Sequence, residues 1–323
     1  MDNKNNIKPQ SNYENKLKIC FFVKAGLDNF LGDIIEGFRH KYLIKKIIVT
    51  NLKQIDEGME WADISWFEWC DELVCYGSKL SLAKEKKIIC RLHSYEAFTD
   101  YPANVDWHSI DKIIFVAEYI KNFIVNNFSI NEEKTLVISN GIDLEKWSFS
   151  ERNHGFNIAY VGYINYKKGP MLLLHTFKAI YDKNSKYKLF IAGEFQDHRD
   201  VLYFNQMIKE FNLQNNVFYE GWQNNLDDWL EDKNAILCTS ILESQNISIM
   251  QAMIKGIKPI IHNFVGAKNI YPHCLIWNTI DDALTMLTND EYNSKEYYSF
   301  VKSNFELNDK IKEINSLFVH LFD

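Results

Sequence analysis

Twice along its length this chain repeats short apolar runs rich in β-branched residues, each set off from the next by a longer amphipathic stretch. That alternation narrows the folds open to it. Parallel strands buried on both faces read as continuous apolar runs, and the helices between them read with a period of 3.6. In the first half, Leu17–Val23 (LKICFFV), Lys46–Thr50, Ala62–Phe67, Lys87–Leu92 (KIICRL), Lys112–Val116 and Thr135–Ser139 are expected strands. Helices are expected there over Phe30–Lys41 and Glu118–Phe128. The pattern restarts with strands at Asn157–Val161, Lys188–Ala192, Val217–Tyr219, Ala235–Cys238, Pro259–Ile261 and Leu275–Trp277. Its helices are expected over Pro170–Tyr181, Val201–Phe211, Ser248–Ile254, Ile280–Thr288 and Asp309–Leu321. Pro170 stands in a first turn, where its missing N–H has no helical partner to lose.

Strand, helix and strand in repetition predict an α/β chain of two Rossmann-like, doubly wound parallel-sheet domains. The polar, charged stretch Trp147–His154 is the expected hinge. The expected division is a loose polar tail over 1–16, a first domain over 17–150, a second over 151–305, and a terminal helical segment over 306–323 that packs back toward the first domain. The tail has no apolar stretch of a secretory signal, and no run approaches the ~20 apolar residues of a membrane span. A cytoplasmic protein with at most peripheral membrane contact is expected. A formal charge of -7 argues against general nucleic-acid binding, which needs a basic face for the phosphates.

Metal and redox chemistry find little support. The six cysteines include no C-x-x-C pair, so a zinc site is not expected, and a cytosolic chain is not expected to form disulfides. No D-x-D stands at a strand end; Asp227-Asp228 and Asp281-Asp282 read as acids at helix starts. Gly26 is a lone glycine after the first strand, so the G-x-G-x-x-G of a dinucleotide site is missing.

Open parallel sheets bind ligands at the carboxyl ends of their strands, and four loops there carry candidate chemistry. In Tyr160–Gly169 a strand ends at Gly162 and a helix follows Gly169, so backbone amides and Lys168 can meet an anion. An ordinary turn with solvated lysines is the plain alternative. In Leu242–Met253, Glu243 stands in the loop and Gln251 about one turn into the helix. Such a carboxylate can accept sugar hydroxyls, or it can serve as a helix cap. His93 follows a strand in Arg91-Leu92-His93-Ser94, facing a cleft or simply the surface. Asn140-Gly141 is a turn signal.

In this order, the segments resemble the retaining glycosyltransferases of family 4, which have the GT-B fold: two Rossmann-like domains facing across a cleft. The resemblance spans nearly the whole chain and is strongest over residues 135–272. It rests on NGID at Asn140–Asp143, the loop Gly162–Gly169, IAG at Ile191–Gly193, VFYEGW at Val217–Trp222, Glu243–Met253 and KGIKPII at Lys255–Ile261. It implies transfer from a nucleotide-sugar donor, a UDP-sugar in first place, to a glycan, lipid-linked or protein acceptor. It also implies that no metal or other cofactor is needed. The implied catalytic residues are His93, Glu243 and Lys168. The donor site would draw on Gly162, Tyr163, Lys168, Gly193, Tyr219, Gly221, Glu243, Ser244, Asn246, Ile247 and Gln251. The acceptor site would draw on Gly26, Leu27, Asp28, Glu68 and His93, with Trp66–Asp71 either a candidate groove wall or, the stronger alternative, simply packed between sheet and helix.

Two departures from the family pattern stand out. The arginine of the phosphate loop is Tyr163 here, and the second glutamate of the E-x7-E motif is Gln251. Lys167 and Lys24 are the candidates to restore the missing charge. The alternative reading is a GT-B subunit that binds an acceptor or a partner protein without catalysing transfer.

Overall fold

The computed structural model describes residues 16–289 and 291–322. The expected tail lies outside these, apart from Lys16. The chain forms two compact units. The first holds residues 16–114, 124–136 and 318–322, and the second holds 115–123 and 137–317.

Each unit is built on a sheet of six strands. In the first unit, β1 (Lys18–Val23), β2 (Leu43–Ile48), β3 (Ile64–Glu68), β4 (Lys87–Leu92), β5 (Lys112–Phe115) and β6 (Thr135–Val137) lie in the order β2-β1-β3-β4-β5-β6. In the second, β7 (Asn157–Val161), β8 (Lys188–Ala192), β9 (Val217–Gly221), β10 (Ala235–Cys238), β11 (Lys258–His262) and β12 (Ile276–Trp277) lie in the order β12-β11-β10-β7-β8-β9. Neighbouring strands run parallel. Helices between strands bury both faces, which is why β1 reads as an unbroken apolar run after Lys18. In the second unit Ile158 and Tyr160 meet Leu173, Leu174 and Phe177 on one face. Ala159, Ile236 and Ile261 meet Ile249, Met250 and Met253 on the other. Each such aliphatic side chain contributes about 1.5–3 kcal/mol by leaving water.

Strand order reverses between β1 and β3 in one sheet and between β7 and β10 in the other. Connections leave these strand pairs in opposite directions and open a crevice at their carboxyl ends, the usual ligand position in such sheets. The loops after β1, β3, β7 and β10 are therefore the ones placed for function.

Among the described residues, three helices of more than four residues go beyond the sequence expectation: Lys53–Trp61, Glu72–Gly77 and Ser294–Phe305. The first has a thin apolar stripe; Ile55, Gly58 and Met59 are its buried residues. In the last, the adjacent aromatics of YYSF blur the helical period. The division of the chain also falls earlier than the expected 150/151. The Asn140 amide donates to Gln245 Oε1 at 2.7 Å, and Gln245 Nε2 donates to the Asn140 carbonyl at 2.8 Å. The Ile142 amide donates to the Phe305 carbonyl at 2.8 Å. These bonds tie Asn140–Ile142 to the second unit. At the other end of the chain, Phe318 packs with Phe38, Tyr42 and Trp66 of the first unit. Among the described residues no helix is long and apolar enough to cross a membrane.

Candidate functional site

In the second unit the chain turns sharply at the ends of β7 and β8. The Gly162 amide donates to the Ala192 carbonyl at 3.0 Å, and the Gly193 amide donates to the Gly221 carbonyl at 2.8 Å. Gly193 has φ 146°, and a β-carbon there would lie 1.9 Å from the Gly162 carbonyl oxygen. Only glycine permits that approach. Past Gly162, the Asn165 side chain accepts from the Lys168 amide at 3.3 Å and caps the short turn Tyr166–Lys168.

This loop is fastened to the one after β10. The Ile241 amide donates to the Lys167 carbonyl at 2.8 Å, and Thr239 Oγ1 donates to the Lys168 carbonyl at 3.0 Å. The fastening delivers Lys168 to Glu243: Nζ pairs with Oε1, which also accepts from Ser240 Oγ at 2.8 Å. Ser244 is half-buried beside them, and Asn246, at φ 57°, leads into the helix Ile247–Ile254. Asn246 Nδ2 donates to Cys238 Sγ at 3.3 Å, while its Oδ1 has no hydrogen-bond partner among the described residues. A cation, a carboxylate and the free amides of a helix start thus meet at the β7/β10 switch point. They suit a ligand that carries both phosphate and hydroxyl groups.

The remaining expected donor residues follow β7, stand on β9, or lie on the helix Ile247–Ile254. Tyr163 is 45% exposed and sits against Trp222, 52% exposed, with ring centroids 5.2 Å apart. Tyr219 is exposed, and its ring centroid lies 5.4 Å from that of Phe195. Gly221 ends β9, Ile247 opens the helix, and Gln251 is half-buried one turn further on. A neutral amide at 251 forms weaker bonds to hydroxyls than a carboxylate, by about a factor of two. Gln251→Glu is expected to tighten nucleotide binding by about 1 kcal/mol. Calorimetry with UDP measures this directly, and weaker binding by the variant would show that the site is fitted to the amide.

The first unit gathers a different cluster. Glu68 and Arg91 are register partners on β3 and β4, and both are buried, at 0% and 1% exposure. Arg91 Nη1 donates to Glu68 Oε1 at 3.3 Å and Trp66 Nε1 donates to Oε2 at 2.8 Å. Oε1 lies 2.7 Å from His93 Nε2. Burial alone would raise the Glu68 carboxyl, but Arg91, His93 and Trp66 outweigh it and hold it below the ordinary value. An ionised carboxylate only accepts, so His93 Nε2 carries the proton.

The imidazole stacks on Trp69 at 3.9 Å and on Phe30 at 4.9 Å. Trp69 holds φ 77°, a costly conformation for a bulky residue, and its Nε1 donates to the Leu27 carbonyl at 2.8 Å. Glu96 fixes the turn beyond β4, accepting from the His93 amide at 2.7 Å and the Ser94 amide at 3.0 Å.

Two expectations are corrected here. Glu68 cannot touch an acceptor, because β3 is buried on both faces and encloses its carboxylate; it positions His93 instead. Lys24 does not make up for the missing arginine, because it pairs with Asp71 and Glu72 in the first unit. Burial pushes the Asp71 carboxyl up to about 6, against the opposing pull of the Leu73 amide and Lys24. The expected acceptor loop lies nearby: Gly26 is exposed, and Asp28 Oδ2 accepts from Lys46 Nζ at 2.8 Å. The sequence reading also missed Gln245, whose double bond to the Asn140 backbone anchors the NGID segment, and Tyr271, whose hydroxyl donates to the Gln245 carbonyl at 2.6 Å.

Two parallel-sheet units, with a cation–carboxylate pair at the switch point of the second, define the α/β architecture of the GT-B fold. Residues 142–273 match the model of the family described as glycosyl transferases group 1. One curated relative is the Escherichia coli UDP-Gal:alpha-D-GlcNAc-diphosphoundecaprenol alpha-1,3-galactosyltransferase. It is 24% identical over 226 residues, which cover 62% of this chain and 58% of the relative. A second, the poly(ribitol-phosphate) alpha-N-acetylglucosaminyltransferase of Staphylococcus aureus (strain COL), is 27% identical over 150 residues, 46% of this chain and 29% of its own. The match therefore spans well under two thirds of these relatives' length. Among solved structures, Anabaena HepE in complex with UDP and glucose superposes with a TM-score of 0.77 at 13% identity, covering 94% of this chain and 100% of that one.

Proposed function

We propose that this protein transfers a sugar from a nucleotide-sugar donor, a UDP-sugar in first place, to a hydroxyl on a glycan, lipid-linked or protein acceptor, with retention and without a metal ion. The observation that carries the reading is the Lys168–Glu243 pair at the β7/β10 switch point. In support, the E. coli relative is named for a UDP-sugar donor and a diphosphoundecaprenol-linked acceptor, and the HepE structure holds UDP and glucose. On this reading the donor's diphosphate takes the Lys168 charge together with backbone amides, and Glu243 turns to the sugar hydroxyls. The anomeric C–O bond then breaks with oxocarbenium character, and its electron pair leaves on the nucleotide phosphate. The acceptor hydroxyl attacks from the same face and gives its proton to the departing phosphate oxygen. Fixed charges and dipoles aimed at the leaving group supply the stabilisation. Within the first unit, His93 is held by Glu68, and the loop Gly26 to Asp28 is the candidate acceptor loop. The protein would act in the cytoplasm, with at most peripheral membrane contact.

The second reading, a GT-B subunit that binds without transferring, draws on Tyr163 and Gln251. One assay separates the two: nucleotide release from a panel of nucleotide sugars, with candidate acceptors, in EDTA and in manganese. Release that is unaffected by EDTA is the expected result. Loss of release in EDTA with recovery in manganese would overturn the metal-free mechanism. Nucleotide binding without release would favour the non-catalytic subunit.

A further inference from the structure

The second unit buries a phenol that has no hydrogen-bond partner among the described residues. Tyr119 stands at the start of the helix Glu118–Phe128, in the short segment 115–123 that belongs to this unit. Its ring packs on Gly266: a β-carbon built there would lie 2.5 Å from Tyr119 Cδ1. Gly266 has φ 87°, so both backbone and ring demand glycine.

Gly266 follows Val265, which is bridged in parallel to Leu242, the residue before Glu243. The Val265 amide donates to the Ile241 carbonyl at 3.3 Å. Gly266 and Glu243 are the residues that follow this bridged pair, so the ring upon Gly266 and the Glu243 loop leave the bridge together. Burial, reinforced by the Glu243 charge, raises the Tyr119 phenol above its ordinary value and keeps it a donor. Its oxygen is closed to solvent and has no hydrogen-bond partner among the described residues.

A buried hydroxyl without a partner destabilises the fold that holds it, and its retention calls for a reason. The ligand-free state of Glu243 supplies one. There the carboxylate is satisfied by Lys168 and Ser240. A diphosphate draws the lysine away, and a half-buried carboxylate stripped of its cation needs another donor. We propose that Tyr119 is a positioning residue that donates to Glu243 when the diphosphate of the donor engages Lys168. The proposal rests on the donor-site reading above and assigns a task to a side chain outside the family motifs quoted earlier.

Tyr119→Phe removes the oxygen alone. Its ligand-free melting temperature is expected to equal or exceed that of the wild type, since no bond is lost. Its affinity for UDP, measured by calorimetry, is expected to fall about tenfold, the scale of one hydrogen bond to a charged group. Repeated in a Glu243→Ala background, the same change is expected to have less than about a twofold effect, because coupled partners are not additive. If Tyr119→Phe binds UDP as tightly as the wild type, the inference falls and the donor-site reading stands. An equal loss in both backgrounds means that the phenol acts on the ligand directly, and a lowered melting temperature means that it was already bonded; either overturns the proposal. A wild-type protein that binds no nucleotide at all removes the donor-site reading and this inference with it.

Discussion

Lys168→Ala is expected to lower kcat/KM for transfer by ~10²–10³-fold, about 3–4 kcal/mol of transition-state stabilisation. The side chain is the cation of the switch-point pair, and its partner Glu243 is a proposed sugar contact. Its backbone is held independently, through Thr239 Oγ1 and, one residue earlier, the Ile241 amide. The substitution therefore removes a charge without moving the loop, and the melting curve is expected to stay cooperative. Steady-state nucleotide release, compared with the wild type across donor concentrations, checks the loss. A variant that keeps more than about a tenth of wild-type activity would place the phosphate clamp elsewhere.

The second large effect is on stability. Glu68→Ala is expected to cost about 3–5 kcal/mol, because it removes the buried carboxylate that bonds the Arg91 guanidinium, the Trp66 indole and His93. Urea denaturation of the two proteins measures this, and coincident midpoints would refute it. The pH dependence has a definite sign. The folded Glu68 carboxyl titrates below its ordinary value, so its stabilisation is present above the ordinary carboxylate range and is lost as pH falls through the folded value. The gap between wild type and Glu68→Ala should narrow in acid for this reason.

The strands were the most legible part of the chain. Lys87–Leu92, Asn157–Val161, Lys188–Ala192 and Ala235–Cys238 have the bounds their apolar runs suggest, because a strand buried on both faces admits little but apolar residues. The meeting of Lys168 with Glu243 was legible only through family resemblance; nothing local to either residue announces a pair formed between separate loops. Glu68 was misread because it stands in an aromatic and acidic stretch, Trp66–Asp71, that suggests a groove wall. The missing fact was register. Once β3 lies beside β4, Glu68 faces Arg91, and two lone charges in apolar strands become partners. Gln245 and Tyr119 left no such trace, since a glutamine and a tyrosine are unremarkable in any loop or helix start.

Pairing in the second unit does not stop where its strands stop. Beyond β7 and β8, Ile164 is bridged to Phe195, and beyond β10 and β11, Leu242 is bridged to Val265. The loops that carry Lys168 and Glu243 therefore inherit their backbone course from the sheet, while their outward side chains are left free to differ. A tyrosine at 163 changes the chemistry its loop offers without redrawing the loop itself. Such a frame lets single substitutions alter a surface's chemistry with no insertion, deletion or refolding along the way.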